Sequence, residues 1–239
     1  MAALTVWPGT GGRPVVLDLF AGGGGAGAGY QRAGFATVGV DWVEQPRYPG
    51  PCLVADVMEL GVTGVQELAH RWGAVAIAAS PPCQAYSPLN AYNKKTYPDL
   101  VGPVRDILEA VGMPFVIENV VQAPLIRPTI LCGSMFGLRV YRHRGFETSF
   151  PSIEPEHPAH QARCARNGYL PEPDQYMTIS GGKHSRVWRL RAAEVMGVPW
   201  MTTIREVCES IPPRYTEFIG AQLMGHLRRS GLIDGVTAE

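Results

Sequence analysis

Val15-Val16-Leu17-Asp18-Leu19-Phe20 runs without a break into Ala21-Gly22-Gly23-Gly24-Gly25-Ala26-Gly27, and this junction decides the fold. The first stretch is apolar except for one acid and has the length and β-branched content of a buried strand. The glycines that follow keep Cβ atoms out of the turn, so backbone amides can approach a ligand closely where a helix begins. A helical pattern then runs to Ala33 and stops at Gly34. Phe35 to Val40 reads as a second strand ending in Asp41, and Cys52-Leu53-Val54-Ala55 as a third ending in Asp56. Val65 to Trp72 predicts a helix, Ala74–Ala79 a fourth strand and Leu100 to Val111 another helix. Pro114-Phe115-Val116-Ile117 predicts a fifth strand, ending at Glu118-Asn119. Strands alternating with helices in this way imply an α/β fold with a doubly wound, mostly parallel sheet.

The alternation fails from Pro151 to about Asp174, where Pro, Glu, His, Arg and Gln dominate without a period. Helices resume near Leu190–Met196 and at Tyr215 to Leu227, the latter following Pro212-Pro213. The expected organisation is a flexible leader over 1–13, an α/β domain over 14–150, a small irregular insertion over 151–180 and closing helices over 181–239.

The chain has 239 residues, 46% hydrophobic and 18% charged, enough for one sizeable core. No apolar run approaches the ~18–20 residues of a membrane span, so no membrane partner is expected. Met1 to Arg13 lacks the basic-then-apolar pattern of a secretory signal. Cys52, Cys83, Cys132, Cys164 and Cys208 are odd in number and scattered, which predicts free thiols in a reducing, cytoplasmic setting. His157, His160 and Cys164 lie close in sequence, but no fourth ligand stands at a usual zinc spacing. That segment therefore reads as a solvated loop, with no metal. Charges balance at 21 basic and 21 acidic, so no global field favours nucleic acid. From Arg139 to Arg191, however, nine Lys and Arg face five Asp and Glu, a local basic surface suited to phosphates.

Ser80-Pro81-Pro82-Cys83-Gln84 closes the fourth strand. A Pro-Pro turn there fixes the next side chain at the carboxyl edge of the sheet, where open α/β folds keep their chemistry. A thiol in that place reads as a nucleophile, against the plainer alternative of a buried cysteine beside a tight turn. The glycine turn with Asp41 fits a nucleoside whose ribose hydroxyls a carboxylate holds, a pattern common to nicotinamide and S-adenosylmethionine binding. Asp56 is the matching candidate for an adenine amino group. Cys83, Glu118 and the basic pair Arg142 and Arg144 supply a thiol, a carboxylic acid and guanidinium groups. Together they suit an electron-poor heterocycle: attack at one carbon, a proton at a ring nitrogen, an anchor for an exocyclic carbonyl.

In this order the residues resemble the DNA cytosine-5 methyltransferases, over nearly the whole chain. Asp18-Leu19-Phe20-Ala21-Gly22-Gly23-Gly24, with Gly25, is similar to that family's cofactor-binding first motif. Val40-Asp41-Trp42 and Ala55-Asp56-Val57 fall where its ribose and adenine contacts lie. Pro81-Pro82-Cys83-Gln84 resembles the nucleophile motif and Ile117-Glu118-Asn119-Val120 the Glu-Asn-Val motif. Gly137 through Arg144 resembles the later strand whose two arginines reach the target base, and Arg191 to Gly197 a helix before the closing segment.

The resemblance implies a sheet of the S-adenosylmethionine-dependent (Rossmann-like) type, with that molecule as cofactor. It would be bound by Asp18, Phe20, Ala21, Gly22, Gly23, Gly24, Gly25, Asp41, Trp42, Asp56, Val57 and Pro81. It implies double-stranded DNA with a flipped cytosine as partner and a monomeric enzyme. Cys83 would add to C6, Glu118 bond N3 and the amine, and Arg144 anchor O2, while Arg142 and Arg144 lower the thiol pKa. Pro82, Gln84, Ser87, Asn119, Lys94 and Lys95 would surround the base and its phosphates, with Tyr92 in the same loop. Arg163, Arg166, Lys183 and Arg186 would face the duplex. Four departures stand out: Ala21 for the usual cysteine, Val140 for a glutamine, Cys208-Glu209-Ser210-Ile211-Pro212-Pro213 without the usual Gly-Asn pair, and only about thirty residues (151–180) for target recognition. The last implies a very short recognition sequence. An RNA or free-nucleotide substrate, and a catalytically silent binding module, are the alternatives.

Overall fold

The computed structural model describes residues 8–86 and 96–233; Ser87, Tyr92, Lys94 and Lys95 lie outside them. The strands are β1 (Val15–Leu19), β2 (Ala36–Asp41), β3 (Cys52–Val54), β4 (Ala74–Ala79), β5 (Phe115–Asn119), β6 (Thr129–Leu131) and β7 (Arg144–Thr148). They form one sheet in the order β3-β2-β1-β4-β5-β7-β6. β1 to β5 are parallel, β7 runs antiparallel to β5, and β6 antiparallel to β7. The helices are α1 (Gly25–Arg32), α2 (Val57–Trp72), α3 (Val101–Val111), α4 (Arg186–Met196), α5 (Ile204–Glu209) and α6 (Pro213–Arg229).

Side chains alternate across a pleated strand, and β1 shows what that does here. Val15, Leu17 and Leu19 pack with Val65 and Ala69 of α2 and Val104 and Leu108 of α3. Val16 turns the other way, into a cluster with Tyr30 of α1 and Tyr215, Ile219 and Leu223 of α6. Both faces of the sheet are therefore covered, as near-continuous apolar runs in a parallel sheet require. A third cluster, built on Trp188, Met177 and Val140, lies under α4 and α5. Strand order reverses between β1 and β4, and this switch point opens a crevice at the carboxyl edge.

The sequence reading lacks β6 and α5 and differs at α2 and around β7. α2 begins at Val57 rather than Val65, because the Asp56 carboxylate accepts a bond from the Met58 amide (2.8 Å) and caps it; a non-helical Gly61 (φ 55°) then breaks the run. The segment from Gly137 to Arg144, expected as a strand, is irregular apart from a bridge between Val140 and Met177, and β7 starts only at Arg144. β7 is hard to recognise because its interior carries Glu147, buried and ion-paired to Arg105 (2.6 Å), where apolar periodicity would be sought. Residues 151–180 contain no named helix or strand, and a second bridge, between Cys164 and Tyr176, ties the segment to itself.

Candidate active site

A cavity of about 410 Å³ opens at the carboxyl edge of β1, β2, β4 and β5. Phe20, Ala21, Gly22, Gly23 and Gly25 form one wall. Phe20 leaves β1 with φ 59°, a left-handed conformation that costs a side chain roughly 1–2 kcal/mol. Surrounding bonds hold it there: the Ala21 amide to Val40 O (3.1 Å), the Gly22 amide to Asp41 Oδ2 (2.9 Å) and the Trp200 indole to Gly23 O (3.0 Å). Gly22 has φ 50°, and a Cβ added there would meet nothing within 4 Å, so its face is open. Gly25 is the opposite case, for a Cβ would sit 2.4 Å from Ile211 O.

Asp41, at the tip of β2, is buried and lines the cavity. It accepts from the Gly22 and Val43 amides (2.9 and 3.2 Å), and a carboxylate has about four lone-pair positions. Half of its accepting capacity therefore stays available. Trp42, 67% exposed, stands on the same wall. Asp18 and Gly24 lie behind the turn, outside the wall. Asp18 accepts from the Tyr48 hydroxyl (3.0 Å). Burial pushes its carboxyl pKa up to about 7, with the Asp41 charge adding to the rise and the Tyr48 bond opposing it.

Ser80, Pro81, Pro82, Cys83 and Gln84 form the opposite wall. Asn119 fastens this turn: its amide donates to Pro81 O (2.9 Å), and its oxygen accepts from the Val120 amide (2.9 Å). Expected at the substrate, Asn119 is fully buried, off the cavity wall, with both ends of its amide engaged. Glu118 and Arg144 complete the site as an ion pair, Nε to Oε1 3.0 Å. Oε1 has no hydrogen bond of good geometry, so the contact is electrostatic. Burial raises the Glu118 carboxyl pKa, against Arg144, Arg142 and a bond from Ser80.

Arg142 is buried, donating to the carbonyls of Cys208 (2.6 Å) and Ile179 (3.3 Å). Burial and the neighbouring Arg144 charge bring its pKa down to about 9, still protonated at neutral pH. The expectation that the two arginines lower the Cys83 thiol is not met. Burial pushes that thiol up, and Arg144 and Arg142 offset the rise only in part.

The crevice thus gathers fourteen of the expected residues: Phe20, Ala21, Gly22, Gly23, Gly25, Asp41, Trp42, Pro81, Pro82, Cys83, Gln84, Glu118, Arg142 and Arg144. Asp56 caps α2 and Val57 is buried in it, both away from the wall. Arg163, Arg166, Lys183 and Arg186 are exposed and also off the wall. Sequence reasoning missed Ser80, the 43–47 loop and the stretch from Thr203 to Glu206, while Cys208 to Ile211, singled out only as a departing closing motif, also lines the cavity. Arg47 pairs with Glu206 (2.6 Å) and clamps the 43–47 loop to the Thr203–Glu206 stretch. The Thr203–Glu206 capping box was the available signal.

No family model and no curated protein sequence matches this chain. Solved structures do. A chain described as a DNA modification methyltransferase encoded within an E. coli prophage is 16% identical, with a TM-score of 0.63 over 90% of this chain and 99% of its own. The S. pombe Dnmt2 methyltransferase is 13% identical (TM-score 0.59, 90% and 99%). The Entamoeba histolytica methyltransferase EhMeth is 14% identical (TM-score 0.58, 93% and 99%). The likeness lies in the fold: this chain has the mixed, helix-flanked, Rossmann-like sheet of the S-adenosylmethionine-dependent methyltransferases.

Proposed function

We propose that this chain transfers a methyl group from S-adenosylmethionine to C5 of cytosine in DNA. The observation that carries the reading is the convergence of Cys83, Glu118 and Arg144 on one cavity whose other wall is the glycine turn with Asp41. The residues present fit the cofactor. The volume lies within the roughly 300–1,000 Å³ of ligand sites, the Gly22 face is one a Cβ would fill, Asp41 retains free lone pairs, and Trp42 offers an aromatic face. Phe20 to Gly23, Gly25, Asp41 and Trp42 would hold it. Bound S-adenosylmethionine supplies an electrophilic methyl group.

The chain's own residues prepare the base. The target cytosine rotates out of the stack into the cavity. Cys83, on losing its proton, forms a bond from Sγ to C6, and the electron pair of the C5–C6 double bond moves toward C5 and the ring. Glu118, whose burial favours its protonated form, donates to N3 as negative charge builds there. Arg144 holds the exocyclic O2. With the methyl group that bound S-adenosylmethionine would supply at C5, loss of the C5 proton to water would restore the C5–C6 double bond. Cys83 would leave as thiolate, and N3 would return its proton to Glu118. Asn119 keeps the Pro81-Pro82-Cys83 turn in place throughout.

Target recognition falls to residues 151–180 and the basic side chains around them: Arg163, Arg166, Lys183 and Arg186, with Asn167, Gln175 and His184. A bidentate contact to a base edge gives ~1–3 kcal/mol of discrimination, and so short a segment offers few. The proposed site is about two base pairs, with phosphates supplying most affinity and a steep salt dependence. The test is incubation with tritiated S-adenosylmethionine and duplex DNA, single-stranded DNA, transfer RNA or dCTP, followed by base mapping. Label at C5 of cytosine in duplex DNA supports the reading. Label only in RNA or dCTP moves the substrate, and no label in any arm refutes the activity.

A further inference from the structure

Outside the cavity, Cys132, His143, His157 and His160 bring one sulfur and three imidazole nitrogens within 4.8 Å of one another. We propose that these four side chains bind a zinc ion. In a tetrahedral site with Zn–N near 2.0–2.1 Å and Zn–S near 2.3 Å, ligand atoms stand about 3.3–3.4 Å apart for N to N and about 3.6 Å for S to N. Two edges already have that size: Cys132 Sγ to His160 Nε2 is 3.4 Å, and His143 Nε2 to His157 Nε2 is 3.2 Å.

The surroundings orient the ligands as a built site does. Tyr141 stacks on the His160 ring (centroids 3.7 Å apart, 16° between planes), and its hydroxyl accepts from the Ala162 amide. The Ser134 hydroxyl donates to Cys132 Sγ (3.2 Å). Cys132 is buried while His157 and His160 are exposed, so the ion enters from solvent. Binding releases the Cys132 thiol proton to water, and the three imidazoles coordinate neutral through Nε2. Four protein ligands close the coordination sphere, which makes the site structural rather than catalytic.

The ligands also say what the ion would do. Cys132 follows β6, His143 precedes β7, and His157 and His160 come from the irregular 151–180 segment. His143 sits between Arg142 and Arg144, both on the cavity wall. A bound ion would staple the segment proposed to read DNA to the residues proposed to hold the base. Cys164, the cysteine nearest to His157 and His160 in sequence, takes no part.

The test uses tag-free, full-length protein. After equilibration with zinc and removal of loosely held metal, elemental analysis should find one zinc per chain. Titration of stripped protein with Co²⁺ should give the thiolate-to-cobalt charge-transfer band and the intense visible absorption of tetrahedral cobalt. Cys132→Ser should remove the charge-transfer band, and His157→Asn, at an exposed ligand, should lose the stoichiometric metal while circular dichroism stays unchanged. Cys164→Ser should leave both signals intact. Substoichiometric zinc in the parent protein, or a cobalt spectrum indifferent to Cys132→Ser and His157→Asn, overturns the proposal.

Discussion

Asp18→Asn isolates the strain stored beneath the glycine turn. The Asp18 carboxyl is buried, and its pKa stands at about 7 against an ordinary 3.8. At about 1.4 kcal/mol per tenfold, that displacement converts into roughly 4 kcal/mol. The sign follows from proton counts. Between pH 4 and 7 the folded chain keeps a proton that the unfolded chain has lost, so stability falls as pH rises through that window and levels off above it. Asparagine can present its oxygen to the Tyr48 hydroxyl and its amide where the second carboxylate oxygen has no partner, and it does not titrate. Urea unfolding at pH 5 and pH 8 measures the effect. From pH 5 to pH 8 the variant's stability relative to the parent should rise by roughly 2.5–3 kcal/mol, the part of the displacement that lies above pH 5. Parallel pH profiles for parent and variant would show that Asp18 is an ordinary carboxylate and refute the reasoning.

Three further outcomes are expected. Because burial holds the Cys83 thiol above its ordinary value, its alkylation by iodoacetamide should lag behind free cysteine at pH 8 and accelerate with pH; Arg144→Ala, which removes the largest opposing charge, should slow it further at a given pH, read by peptide mass spectrometry. Asn119→Leu leaves Pro81 O and the Val120 amide without their partner, a loss of ~1–3 kcal/mol in unfolding free energy, and should lower the methylation rate more than it raises the KM for DNA. Gly25→Ala, whose Cβ would press to 2.4 Å on Ile211 O, should destabilise the chain more than Gly22→Ala, where only the left-handed backbone opposes the side chain; thermal unfolding compares them.

Much of this architecture is legible in the sequence because parallel strands buried on both faces announce themselves as apolar runs. β1 and β4 are the plainest examples, and the residues just past their ends are the ones that line the cavity. The reading weakens where charge is buried. Glu147 hides β7, since its partner Arg105 lies 42 positions away in sequence. Asp56 looks like a ligand-binding strand end and turns out to cap α2, because a cap and a binding carboxylate have the same local signature. The Cys83 thiol shows a third limit: neighbouring arginines can be read from a motif, but the burial that outweighs them is a property of the whole packed wall. The Cys132–His143–His157–His160 cluster belongs with these cases, for its ligands come from three separate segments and follow no spacing rule.

The central claim is that Cys83 is the nucleophile toward a cytosine ring. Duplex DNA carrying 5-fluorocytosine blocks loss of the group at C5, so the covalent adduct accumulates. With S-adenosylmethionine present, the parent protein should form a complex with this DNA that survives denaturant, and the linked peptide should contain Cys83. Cys83→Ser should form none, while single substitutions of Cys52, Cys164 and Cys208 to Ala should still trap. A denaturant-stable complex that persists in Cys83→Ser, or none in the parent with DNA that it methylates, would contradict the account.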